Sequence, residues 1–182
     1  SWPIFSDIIS GGRSIGDHPL HIESYELTLK ASREFKVKTV LQIGNRFVSK
    51  FLLHWLEKTK PESHLLVKNH PQRQDPLHSL TRVIECSSLT FCRSISKLLV
   101  FKPAKEVRDL KATSIGIQKT LQEHFLEPCT FSEPFLMHSL KDKVAQRALY
   151  LSSSMPIRDA DLLFYPQVKA GEIFCNRGAS GI

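Results

Sequence analysis

The chain has 182 residues, 41% of them hydrophobic and 24% charged, with a formal net charge of +7. That length suits one good core, or one domain and part of another, and the balance excludes disorder. No apolar run approaches the roughly 20 residues of a membrane span, and the start SWPIFSD lacks the basic and apolar regions of a secretory signal.

The start also lacks an initiating Met and is strand-like from its first residues, so an upstream part is expected. Cys86, Cys92, Cys129 and Cys175 form no Cys-x-x-Cys pair and lie mostly among apolar neighbours, the pattern of reduced core thiols in a cytosol-like compartment rather than a metal site. Lys and Arg are scattered in ones and twos without a nucleic-acid signature beside them, and anionic small substrates explain the positive balance equally well.

In chain order, WPIFSDI (2–8), bounded by Gly11-Gly12, predicts a buried strand. IESYELTLKASREF (22–35) places Leu27, Ala31 and Phe35 at i, i+4, i+8, with Glu early and Arg late, and predicts an amphipathic helix. KTVLQIG (38–44) predicts a strand opening into Asn45-Arg46, FVSKFLLHWLEK (47–58) a helix, and SHLLVKN (63–69) and RVIEC (82–86) two further strands across a Pro-punctuated loop. Strands alternating with helices at these spacings predict an α/β fold, a three-layer and mainly parallel sheet. Helices are then expected over 88–101 and 107–125, the latter weakened by Gly116, with a linker at 101–106. EPCTFSEPF (127–135) is the best domain boundary in the chain. Beyond it the sequence predicts a helix near 133–145 with Ser132 as N-cap and Pro134 in its first turn, a strand at 147–152, a helix near 154–165 and a terminal strand at 172–176. That is the opening of a second α/β unit, cut short.

Candidate chemistry gathers there. Ser154 and Arg158 are four residues apart where a strand ends and a helix begins, so they share one face at the end where backbone N–H groups and the helix dipole favour an anion. The bland alternative is that Ser154 only caps the helix and Arg158 only meets solvent. Arg177 enters a Gly-Ala-Ser-Gly loop whose small residues let a bulky group approach the backbone. Ligands of parallel sheets bind at the carboxyl ends of strands, so two arginines and a serine at neighbouring strand ends look like a carboxylate or phosphate clamp. Lys50, in the first turn after the Gly44-Asn45 strand end, is a fourth candidate whose alternative is a solvated surface lysine.

SGGRSIG (10–16) is not the dinucleotide fingerprint, and no acidic ribose partner ends the next strand. His70, Asp75 and His78 lack metal spacing and are read as loop hydrogen bonding. There is no Gly-x-Ser-x-Gly elbow, P-loop or triad-like histidine.

WPIFSDIISGGR, VLQIGNRFVSKFLLHW, HPQRQDP, LYLSSSMPIRDADLLF and NRGASGI, in this order, resemble the MenD family of thiamine-diphosphate-dependent synthases, with NRGASGI the most specific piece and 87–130 the weakest stretch. The resemblance implies the nucleotide-binding-like middle domain of thiamine-diphosphate enzymes over 1–127, then the truncated start of the diphosphate-binding domain over 128–182. The activity implied is decarboxylation of 2-oxoglutarate and addition of the resulting succinyl unit to isochorismate, in menaquinone or phylloquinone biosynthesis. Thiamine diphosphate and Mg2+ are the implied cofactors, but the activating glutamate and the Gly-Asp-Gly motif that anchor them lie outside this chain, so the isolated chain is expected to be inactive. By resemblance Ser154, Arg158 and Arg177 hold substrate carboxylates, and Lys50 faces substrate from the middle domain. The family often has arginine after that lysine, where this chain has Phe51. A homo-oligomer in the cytoplasm, or in the plastid of a photosynthetic eukaryote, is implied, with no nucleic-acid partner. The rivals are another thiamine-diphosphate enzyme of the decarboxylase or acetolactate synthase kind, against which NRGASGI argues, and a non-enzymatic α/β anion-binding module.

Overall fold

A computed structural model describes residues 2–15, 18–32, 34–71, 75–98, 104–126, 131–141, 143–144, 147–166 and 172–176. Contacts divide the chain into two compact units, Glu34–Lys102 and Ser1–Arg33 with Pro103–Ile182. The expected strand at 2–8 does not form. Ile4 makes only an isolated bridge to His21, with the Ile4 amide donating to Leu20 O at 2.7 Å and the Ile22 amide to Ile4 O at 3.0 Å. The reason is where the remaining backbone goes: residues 7–10 close a turn, and the Ile8 amide donates to the Asp161 carboxylate instead of to a neighbouring strand.

Helix α1 (Tyr25–Ala31) is shorter than the sequence pattern implied and buries a different face. Tyr25, Thr28 and Leu29 point inward while Ala31 is exposed. The aromatic ring wins over the small apolar residues because it buries more area and its hydroxyl has a partner inside. Phe35 lies beyond the helix and belongs to the Glu34–Lys102 unit, where it stacks on Trp55, 6.3 Å between centroids.

Within Glu34–Lys102, β1 (Thr39–Ile43), β2 (Ser63–Lys68) and β3 (Arg82–Glu85) form a parallel sheet in that order, with Leu41 opposite Leu65 and Leu66 opposite Val83. Leu66 and Val67 are both fully buried although successive strand residues face opposite sides, so β2 is covered on both faces, as the central strand of a parallel sheet must be. Helix α2 (Lys50–Thr59) connects β1 to β2 and buries Leu52 and Leu56, one turn apart. Ser49 caps it by accepting from the Leu52 amide at 3.0 Å. Helix α3 (Ser88–Ser96) is capped by Ser87 but buries none of its side chains.

The thiols depart from the expected core positions. Cys92 is exposed on α3, and Cys86 and Cys175 are half-buried, all three free. Cys129 lies outside the described residues.

In the other unit, α4 (Lys105–Leu126) packs on α1 through Val107, Leu110 and Ser114, with Ser114 Oγ donating to Glu23 O at 2.7 Å. It takes in Lys105 and Glu106, which the sequence reading assigned to a linker. Helix α5 (Glu133–Leu140) begins as expected: Ser132 Oγ accepts from the Phe135 amide, and Pro134 occupies the first turn. Strand β4 (Leu149–Leu151), helix α6 (Met155–Leu163) and β5 (Ile173–Cys175) follow, with the strands parallel and Leu151 opposite Cys175. Both units thus show the expected combination of parallel strands and helices.

Because Ser49 Oγ caps the start of α2, Ser49→Ala is expected to destabilise its unit by about 1 kcal/mol, read as a lower urea midpoint. An unchanged midpoint would count against the cap.

Candidate functional site

The site builds from α6 outward, and α6 is held by a residue far away in sequence. Arg13 follows Gly11-Gly12, and a side chain at Gly12 would sit 2.5 Å from Ser6 Oγ, so only glycine lets this segment fold back on itself. The buried guanidinium then uses all five of its N–H groups: Nε to Ser6 O, Nη1 to Ala160 O and Phe164 O, and Nη2 to the Asp161 carbonyl and carboxylate. It also lies over the Tyr165 ring, 4.1 Å from the centroid. Apart from Ser6 O, the carbonyls it binds lie at the α6 C-terminus, the negative end of the helix dipole, where Ala160 O also accepts from the Phe164 amide. Asp161 is equally committed. Its Oδ1 accepts from Arg13 Nη2 at 2.6 Å and from the Ile8 amide at 2.9 Å, and its Oδ2 accepts from the Tyr25 hydroxyl. Burial pushes its carboxyl up, to about 6, while Arg13, the Tyr25 hydroxyl and the Ile8 amide pull it down. Burial, then the adjacent Asp161, raises Tyr25, so its hydroxyl remains a donor.

At the other end of α6, β4 gives way to the helix through a single residue. Ser154 has φ 78 and ψ −125, and its side chain makes no capping bond. Few L-residues adopt that conformation, which costs on the order of 1–3 kcal/mol. The preceding residue is clasped: Asn176 Oδ1 accepts from the Ser153 amide at 2.9 Å and from Ser153 Oγ at 3.2 Å, and Ser153 Oγ also reaches Asn176 O at 3.3 Å. Ser154 and Arg158 are both exposed at this start of α6, and Arg158 makes no ion pair among the described residues. Asp159 beside it is buried, and burial together with nearby Glu133 raises its carboxyl.

The structure places Ser154 at the N-cap position of α6, without capping, and Arg158 in the first turn of that helix, both just after the carboxyl end of β4. Arg177 lies outside the described residues; Asn176 before it directly follows β5. Lys50 is the exposed first residue of α2, in the separate unit. The loop before it is fixed by a relay: Gln42 Nε2 donates to Asn45 O at 2.7 Å, which turns Oε1 toward His64 Nε2 at 3.2 Å. His64 must then carry its proton on Nε2 and accept from Ser79 Oγ at Nδ1, 3.0 Å away. Burial lowers the pKa of His64, in keeping with the neutral ring. Asp75 plays the loop role read from the sequence, accepting from the Ser79 and Leu80 amides.

Sequence reasoning missed Arg13, Asp161, Tyr25 and Asn176. The local signal was an arginine following Gly-Gly, which by itself does not reveal a distant carboxylate partner.

A family described as "Middle domain of thiamine pyrophosphate" matches residues 1–151. The chain belongs to this family. Curated relatives of the middle-domain match include the 2-succinyl-5-enolpyruvyl-6-hydroxy-3-cyclohexene-1-carboxylate synthase of Salinibacter ruber, 31% identical over 191 residues that cover 100% of this chain and 32% of the relative. The synthase of the same name from Synechococcus elongatus PCC 7942 is 29% identical over 188 residues, covering 100% and 31%. The Arabidopsis thaliana protein named "Protein PHYLLO, chloroplastic" is 28% identical over 216 residues, covering 100% and 12%. The resemblance to the MenD family thus extends along the whole chain, and the chain spans about a third of the length of the synthases it matches. The cofactor named by the family needs a cradle for diphosphate and a divalent cation. Among the described residues no group of three or more His, Cys, Asp or Glu could hold a metal ion, and the sequence has no Gly-Asp-Gly. The described residues do not themselves fit the cation of that cofactor. No described helix is long and apolar enough to cross a membrane.

Arg13→Ala would leave Asp161 buried without its cation, and is expected to destabilise the unit by roughly 3–5 kcal/mol in denaturant unfolding. Arg13→Lys, with a compact ammonium in place of the planar fork, should recover only part of this. A loss of under about 1 kcal/mol for the alanine variant would contradict the assigned role.

A pH effect follows from His21, which is buried with Nε2 unpartnered among the described residues and has its pKa lowered to about 4 by burial, then by Lys111, Arg13 and His18. Unfolded histidine takes up its proton near 6.5, so the unfolded state binds more protons between that value and 4. The stability contributed by neutral His21 is complete above the window and lost as pH falls through it. Raised Asp161 acts in the opposite sense, so the measurement is a difference: the unfolding free energy of the wild type minus that of His21→Gln should fall from pH 6.5 to 4. A pH-independent difference would rule this out.

Proposed function

We propose that the chain is part of a thiamine-diphosphate-dependent synthase that decarboxylates 2-oxoglutarate and joins the succinyl unit to isochorismate in menaquinone or phylloquinone biosynthesis. The observation that carries this reading is the uncapped Ser154 turn at the carboxyl end of a parallel strand, with Arg158 exposed and unpaired one turn along. Its support is the end-to-end similarity to synthases named for the product of that reaction. Thiamine diphosphate and Mg2+, held by parts of the enzyme outside this chain, supply the chemistry of decarboxylation and carbon–carbon bond formation. The residues of this chain orient anions. Ser154 donates a neutral hydrogen bond, Arg158 and Arg177 pair with carboxylates through planar forks, and Lys50 places a compact positive charge toward substrate.

We assign residues 1–127 to the middle domain and 128–182 to the opening of the diphosphate-binding domain; the proline-punctuated stretch 127–135 favours that division, while the family match continues to 151. The complete enzyme is a homo-oligomer, cytoplasmic or plastidial, acting on small anions and not on nucleic acid.

Steady-state kinetics of the full-length enzyme test the clamp. Arg158→Ala and Arg177→Ala should each lower kcat/KM by about 10- to 150-fold, the equivalent of roughly 1.5–3 kcal/mol for a hydrogen-bonded charge, with Lys rescuing only partly. Lys50→Ala should weaken substrate capture in the same direction. Alanine variants with near wild-type kcat/KM for both substrates would leave the fold resemblance standing and remove the clamp.

A further inference from the structure

We infer that Asn176 is a positioning residue for Ser154, an assignment that rests on the substrate-binding role proposed for that serine. The parallel ladder between β4 and β5 has its last pair at Leu151 and Cys175. Beyond it the Ser153 amide has no backbone acceptor among the described residues. Asn176 supplies one from its side chain, at 2.9 Å. A backbone N–H can only donate, so the atom facing it must be Oδ1, and that fixes the carboxamide orientation. The Ser153 hydroxyl adds bonds to the same oxygen and to Asn176 O.

The clasp sits directly before the strained residue. Ser154 must adopt φ 78 to turn the chain from β4 into α6 within one residue. An unclasped Ser153 would let the turn relax toward a common conformation, carrying the Ser154 hydroxyl away from its place at the strand end. Serine at 154 is not held by its own side chain, which makes no capping bond, so its direction depends on the backbone that Asn176 fixes. Asn176 also stands immediately before Arg177 in the chain, so one carboxamide ties the two strand ends from which the serine and that arginine emerge.

A double-mutant cycle in the full-length enzyme, read as kcat/KM for 2-oxoglutarate with thermal melting as a control on folding, tests this. Asn176→Ala should lower kcat/KM roughly 3- to 10-fold, the range expected for lost neutral hydrogen bonds, and Ser154→Ala by a similar factor. If Asn176 acts through Ser154, the double variant should be no worse than Ser154→Ala alone, because partners in one interaction are not additive. A merely structural role would instead multiply the two losses, and that result overturns the inference. So does an unimpaired Asn176→Ala beside an impaired Ser154→Ala, which leaves the proposed function intact. No loss from Ser154→Ala overturns both. Should Asn176→Ala fail to fold, Ser153→Ala, which removes only the hydroxyl bonds, enters the same cycle with a smaller expected loss and the same reading.

Discussion

One buried ion pair organises the unit that carries Ser154 and Arg158. Removing a guanidinium and a carboxylate from water is costly, and their mutual attraction offsets that only when the remaining donors and acceptors are satisfied as well. Here all five N–H groups of Arg13 are engaged, and Asp161 accepts from a guanidinium, a backbone amide and a phenol. Helix α6 has no basic residue in its own last turn. Arg13 supplies that cation from 148 positions away, closing the helix end and binding the N-terminal segment to it. The shortness of α1, the face it buries and the failure of residues 2–8 to form a strand are consequences, since Tyr25 and the Ile8 amide are both drawn to Asp161.

A second constraint operates at the opposite end of α6 and works through side-chain amides. In both units a carboxamide links neighbouring parallel strands: Asn176, just past the last β4–β5 pair, accepts from Ser153, and Gln42 on β1 meets His64 on β2. Each also governs the loop leading to a candidate residue, Ser154 in one case and Lys50 in the other. Carboxamides suit this task because they present a donor and an acceptor without a charge that would compete with an anionic ligand.

Rigidity and exposure are therefore divided along α6. Its C-terminal half is largely buried and tied down through Arg13 and Asp161, while at its start Ser154 makes no capping bond and Arg158 is exposed. Strain of this kind persists only where the surroundings over-determine it. The surroundings here are the clasp before Ser154 and the locked helix after it.

Much of the architecture was legible in the sequence. The β1, α2, β2 and β3 alternation, the Ser132 cap with Pro134, and the strand–helix–strand succession around 149–175 all follow from apolar period and turn chemistry, which act over a few residues. So did the placement of Ser154 and Arg158 at one helix start, because i, i+4 spacing is a local property. What sequence could not provide was any pairing across distance. Leu27, Ala31 and Phe35 describe a sound amphipathic face, yet Tyr25 is buried instead, because its hydroxyl has a carboxylate to meet that lies 136 residues on. The cysteines look like core residues by their neighbours, but burial depends on tertiary packing, and α3, which carries Cys92, buries none of its side chains. Nothing local in the sequence marks Arg13 and Asp161 as partners, and only the fold removes both from water together. Local periodicity determined which elements this chain forms; tertiary contact decided which polar groups are buried and how α6 is held, since the energy of an ion pair or a clasp exists only when two distant segments are already in place.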